Sequence, residues 1–226
     1  MNICFVTEPS LNKVWQERLS EISKQDIVVF GFNGLGLVSY KKELMGETEY
    51  FHDVAKLSKQ LSSVVISGCD TDTYGVFRHS VVIAEKGKIL GVTDMVHSID
   101  ESEFVSGGCY RVFETSVCKI GIIVKEDLYF QESSSVLSLC DADVIICIEE
   151  KQESSMAQVM LRACAFSNGV PMALCAKQYC AVADIKGNVA TASSADIFKT
   201  NINLQRDYHN VGLKKRGIYR DFGPKY

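Results

Sequence analysis

No run of apolar residues in this chain approaches the roughly 18 that a membrane span requires, so a transmembrane helix is not expected. The opening residues, Met-Asn-Ile-Cys-Phe-Val-Thr, have no basic segment and enter a strand pattern at once, so a signal peptide is not expected either. Positive charge is not in excess. Lys and Arg number 24 against 28 Asp and Glu, a formal net charge of −4, which removes the electrostatic case for nucleic acid or an anionic membrane as partner. No internal repeat or low-complexity segment stands out. Paired Cys/His clusters at zinc spacing are also missing: Cys175 and Cys180 have no such companions, and no metal or other cofactor is expected.

What is present suits one α/β domain. At 226 residues the chain can bury a sizeable core, and 46% hydrophobic with 23% charged residues is ordinary for a globular protein. Nine cysteines is a high and odd count; with no secretory signal they read as reduced thiols of a cytosolic protein. Cys147 and Cys175 sit in apolar runs, where a thiol behaves as a small hydrophobe.

Short continuous apolar runs at 27–30, 64–66, 120–124, 144–148 and 170–174 suit strands buried on both faces. Leu11, Val14, Trp15, Leu19 and Ile22 fall on one face of a helix that follows Pro9-Ser10. Met156, Val159, Met160, Ala163 and Phe166 form a second stripe, with Ser155 and Gln158 placed for a capping box at its start. Two hairpins are expected, one turning at Glu85-Lys86-Gly87 and one at Lys186-Gly187. Mixed strands with adjoining helices imply a two-sheet sandwich covered by helices. The stretch 205–226 differs: six basic residues stand against Asp207 and Asp221, with Tyr208, Tyr219, Phe222 and Tyr226 interleaved. It reads as a tail that docks on protein.

Residues 119–132, Lys-Ile-Gly-Ile-Ile-Val-Lys-Glu-Asp-Leu-Tyr-Phe-Gln-Glu, join an apolar strand to a sharp acidic turn. This segment resembles the nucleophile segment of the nitrilase (carbon–nitrogen hydrolase) superfamily, Gly-Val-x-Ile-Cys-x-Asp-Leu-x-Phe-Pro-Glu. Gly121, Asp127, Leu128, Phe130 and Glu132 match, and Lys125 stands at the cysteine position. Asp26-Ile-Val-Val-Phe30 is similar to the family strand that ends in Pro-Glu, with Gly31 and Phe32 in place of Pro and the catalytic base. Gly87, Gly91 and His97 match the family's Gly-x-x-x-Gly-x-Tyr-Arg-Lys-x-His, and Met95 stands at the catalytic lysine. Arg162 to Asn168 is similar to the family's Arg-Ala-Arg-Ala-x-Glu-Asn helix. The resemblance implies a four-layer α-β-β-α sandwich over residues 1–204 and a homodimer, with the 205–226 tail packing at the interface.

Hydrolysis of that type needs a thiolate to attack, a carboxylate to move protons and a lysine to stabilise the oxyanion. The resemblance puts Phe32, Met95 and Lys125 at those positions, so the triad reads as dismantled. The expected function is a non-catalytic ligand- or partner-binding protein; the alternative is an active amidase-like hydrolase using relocated residues. Lys125 has three readings: an ammonium paired with Asp127, Glu101 or Glu103, an anion site, or a Schiff-base amine. The first two together predict a charged lysine in an otherwise apolar pocket, supported by Glu103 and Asp127 and suited to a small carboxylate or amide. Cys69 and Cys109 read as plain loop thiols, His97 as a structural hydrogen-bonding residue, and Glu43 as solvated.

Overall fold

The computed structural model describes residues 1–98, 103–152 and 155–204; Glu101 and the 205–226 tail lie outside the described residues. Among these, the strands in chain order are β1 (Asn2–Val6), β2 (Ile27–Phe30), β3 (Leu37–Ser39), β4 (Val64–Thr73), β5 (Val76–Glu85), β6 (Lys88–Asp94), β7 (Val112–Glu114), β8 (Lys119–Val124), β9 (Val144–Gln152), β10 (Met172–Lys177), β11 (Tyr179–Ala183), β12 (Val189–Ser193) and β13 (Ile197–Asn201). The helices are α1 (Leu11–Glu17), α2 (Leu19–Ile22), α3 (Tyr40–Met45), α4 (Tyr50–Leu61), α5 (Gln131–Leu139) and α6 (Ser155–Asn168).

Two sheets result. One runs β13-β1-β2-β4-β5-β6 with β3 beside β4, and the other runs β12-β11-β10-β9-β8-β7. The central pairs β1/β2, β2/β4, β8/β9 and β9/β10 are parallel. Their strands read as unbroken apolar runs because each is covered on both sides. Ile3, Phe5, Val29 and Ile66 meet Ile120, Ile122, Ile146 and Ile148 between the sheets. The alternate residues Val6, Val28, Phe30 and Val65 pack with Val14 and Val54 of α1 and α4, while Ile145, Cys147 and Leu174 pack with Leu137 and Leu161 of α5 and α6. The layers are therefore α-β-β-α, the fold expected from sequence. No described helix is long and apolar enough to cross a membrane.

Both hairpins form. Glu85 pairs with Lys88, leaving Lys86 and Gly87 as a two-residue turn with φ of 52° and 80°, the type I′ geometry that matches strand twist. At the second turn Asp184 accepts from the amides of Lys186 and Asn188, at 2.8 and 2.9 Å.

Three local expectations are corrected. The first helix breaks at Arg18, whose φ is −132° and whose guanidinium pairs with Glu21 and Asp196; the apolar face survives the break, with Leu11, Val14 and Ile22 fully buried. The capping box at Ser155 does not involve Gln158, whose amide donates to the Tyr179 hydroxyl at 2.9 Å. On α6 the large stripe faces outward: Met156, Val159 and Phe166 are each 60% exposed or more. The buried face is Ala157, Leu161, Cys164, Ala165 and Asn168, whose smaller side chains let the helix lie close to the sheet. Both stripes have helical spacing, so period alone could not choose between them.

Leu161→Ala should therefore lower the unfolding free energy by roughly 2–5 kcal/mol, as loss of a buried Leu does. Urea denaturation followed by circular dichroism checks this. A loss below about 0.5 kcal/mol, the range of surface changes, would show that the other stripe faces the sheet.

Candidate functional site

Asp127 is fully buried, and its carboxylate accepts from the backbone amides of Val96 and His97, each at 2.8 Å. It also meets His97 Nδ1 at 2.9 Å, and the Tyr110 hydroxyl reaches that nitrogen at 2.8 Å. His97 stacks on Phe130 with ring centroids 4.0 Å apart, so its role is structural hydrogen bonding and packing. This clamp ties the turn after β8 to the segment that carries Met95 just past β6.

The turn itself is a 3-10 segment, Lys125–Tyr129. Lys125 adopts φ +48°, a left-handed conformation that costs a residue with a Cβ about 1–2 kcal/mol. Its side chain is only 6% exposed. The ammonium donates to Glu150 Oε2 at 2.8 Å and lies 2.9 Å from His79 Nε2, with the Phe32 ring centroid 5.5 Å away. Val124 pairs with Ile148 across β8 and β9, which sets Glu150 two residues beyond that pair. His79 on β5 faces Asp70 on β4 in register, and its Nδ1 lies 2.6 Å from Asp70 Oδ1. An imidazole nitrogen that faces an ammonium must accept, so Nδ1 carries the proton and donates to Asp70. His79 is held between rings, stacked on Phe104 at 3.8 Å and edge-on to Phe32 at 5.5 Å.

Phe32 and Met95 are buried in the inter-sheet core with Val124. Phe32 can lie there because Gly68 has no side chain: a Cβ at that position would stand 2.7 Å from the Phe32 backbone. The Met95 amide donates to His79 O at 2.9 Å. Met95 and Lys125 meet around one cavity of about 530 Å³, whose walls also include Asp70, His79, Glu126 and Glu150; Phe32 lies behind that wall, its ring 5.5 Å from the Lys125 ammonium.

Two expectations about this pocket are corrected. Lys125 is paired with Glu150, not with Asp127, because Asp127 is fully engaged by the 96–97 backbone and His97. Glu103 lines the cavity but makes no ion pair with Lys125. Nor is the pocket apolar around a single lysine: four carboxylates, those of Asp70, Glu103, Glu126 and Glu150, stand on its walls with the ammoniums of Lys125 and Lys151. A small carboxylate would meet more like charge than opposite charge there. Glu43 also differs from expectation. Its carboxylate accepts from the Tyr50 and Phe51 amides at 3.1 Å and caps α4.

Asp70, His79 and Glu150 were not singled out from sequence. A histidine inside an apolar strand and an acidic pair closing another are weak signals by themselves. Their placement at one end of the sandwich comes from strand pairing across two sheets. Neighbouring Glu149 is 4% exposed and accepts from the Glu150 and Lys151 amides. Burial raises its pKa, and the Glu126 carboxylate adds to the rise. Burial pushes Glu150 the same way, but the Lys125 ammonium outweighs it and holds that carboxyl below its ordinary value. The thiols are mostly inert: burial pushes Cys4, Cys118 and Cys180 up to about 12, and it also raises Cys69, Cys147 and Cys175. Cys109 is exposed. Among the described residues no group of His, Cys, Asp and Glu could hold a metal ion.

The sequence profile of the carbon–nitrogen hydrolase family matches residues 7–206. A probable nitrilase of Schizosaccharomyces pombe is 24% identical over an alignment of 155 positions, which covers 65% of this chain and 57% of that protein. The chain therefore spans less than two thirds of that curated relative. The carbon–nitrogen hydrolase of Helicobacter pylori G27 superposes with a TM-score of 0.76 at 19% identity, covering 99% of this chain and 97% of the other. An amidase of Nesterenkonia, solved with an acetamide moiety on its active-site cysteine, superposes at 0.78 with 11% identity, covering 98% and 96%. At such identities the solved structures speak to fold alone.

Glu149→Gln should stabilise the protein. A raised folded pKa means the charged carboxyl is less favourable folded than unfolded, so stability is lost as pH rises through that pKa. The amide keeps Oε1 for the two backbone donors. Urea midpoints should be higher than wild type at about pH 8, and the difference should vanish by about pH 4, where Glu149 is protonated. A destabilised variant at both pH values would contradict this.

Proposed function

Because the chain belongs to the carbon–nitrogen hydrolase family, we propose that it is a member in which the amidase chemistry is dismantled and the cavity binds a ligand without turning it over. The observation that carries this reading is the engagement of Lys125. It occupies the turn that resembles the family's nucleophile turn, and its ammonium is already held by Glu150 and His79. A charged amine has no lone pair to attack a carbonyl carbon. Phe32 and Met95, both buried, supply neither a base nor an oxyanion donor. The three groups of the family reaction act as a unit, so losing one removes most of the rate.

A competing reading, a working hydrolase with relocated residues, has the Asp70–His79 pair in its favour, since a carboxylate orienting an imidazole is how a general base is built. The lone pair of that imidazole faces the Lys125 ammonium, however, so it has no free acceptor to offer a water molecule. Purified protein should release no ammonia from simple amides, nitriles or N-carbamoyl compounds, and Lys125→Cys alone should not restore release, because base and oxyanion lysine remain absent. Hydrolysis by wild type that disappears in His79→Asn would establish the competing reading.

Self-association belongs to the same proposal. The apolar stripe of Met156, Val159 and Phe166 on α6 is exposed, and a second copy can cover it. Light scattering should give twice the chain mass for wild type and the chain mass for Val159→Glu. A monomeric wild type would refute it.

A further inference from the structure

We infer that the cavity beside Lys125 takes a small organic cation, an alkylammonium or guanidinium, and that Glu126 is the group that recognises it. The inference rests on the ligand-binding reading of the site. Three contacts already engage its charged wall groups. Asp70 accepts from His79, Lys125 donates to Glu150, and the Lys151 ammonium lies 3.2 Å from Glu126 Oε1. The other carboxylate oxygen of Glu126, Oε2, is buried and has no hydrogen-bond partner among the described residues. A buried carboxylate oxygen left without a donor costs free energy that a ligand N–H can recover. Glu126 lines the cavity, so a turn of its carboxylate presents that oxygen to a donor inside it.

Charge balance points the same way. With His79 neutral, as its contact with the ammonium requires, the four wall carboxylates outnumber the two ammoniums by two. Glu103, one of those four, is exposed. The aromatic rings of Phe104 and Tyr129 line the same space, and such rings accept a cation more readily than an anion. A volume of about 530 Å³ lies within the range of small-molecule sites. A neutral amide could donate to Glu126 but would leave the excess negative charge uncompensated, and a carboxylate would add to it.

Isothermal titration calorimetry with butylguanidinium, butylammonium, butyramide and butyrate tests this at low ionic strength, where charge effects are least screened. Butylguanidinium and butylammonium should bind at least about tenfold more tightly than butyramide, and butyrate should give no heat, as one charge-assisted hydrogen bond is worth about that factor. Glu126→Gln should weaken the cations by about tenfold. Lys151→Met, at a position exposed enough to leave folding intact, should strengthen them severalfold by freeing Oε1 as well. Equal binding of butyrate and butylammonium, no binding by any probe, or weaker cation binding in Lys151→Met would each overturn the inference. Ammonia released from butyramide would instead count against the non-catalytic reading, so the two failures are separable.

Discussion

The carboxylate of Asp127 is the contact on which the site depends. It is fully buried and takes two backbone donors from 96–97 plus the His97 ring. Those bonds are charge-assisted and made where water cannot compete. They join two stretches about thirty residues apart in sequence, one ending β6 and one following β8, and so bring Met95 and Lys125 to the same cavity. The clamp also holds the 3-10 turn in which Lys125 is forced to positive φ. Strain of that kind persists only where the surroundings over-determine it. Here the surroundings are Asp127 on one side and Glu150 with His79 on the other.

The layers were legible because the cause of each lies in local pattern. Runs such as 120–124 and 144–148 are apolar throughout, and only strands covered on both faces combine that with such short length. The type I′ turn at Lys86-Gly87 was readable from glycine. The α6 orientation was not readable, because Ala157, Leu161, Cys164 and Asn168 compete with Met156, Val159 and Phe166 at the same period. Hydrophobicity favoured the large set, while close approach of helix to sheet selected the small one. Packing, which is decided between elements, overrode a signal that belongs to one element.

The site was half legible for the same reason. Positions 32, 95 and 125 could be marked through their resemblance to family motifs. The partner of Lys125 could not, since Asp127 and Glu103 are near it in motif logic whereas Glu150 is near it only through the β8/β9 register. His79 and Asp70 come from the opposite sheet. Pairing a lysine by sequence distance failed where strand register decides proximity.

The polarity of the cavity follows from where charge was lost and where it was kept. Phe32 and Met95 sit in the inter-sheet core behind Lys125, so no unpaired charge is buried there. Lys125 is a charge in a buried setting, and such a charge is tolerable only when paired and hydrogen-bonded. Glu150 and His79 meet that requirement, and in doing so they neutralise the cation. Glu126 and Glu103 then set the sign of what remains. With that lysine engaged, the groups left to meet a ligand are chiefly carboxylates. The 2.8 Å pair with Glu150 takes up the lysine that sequence alone would have offered to an anion.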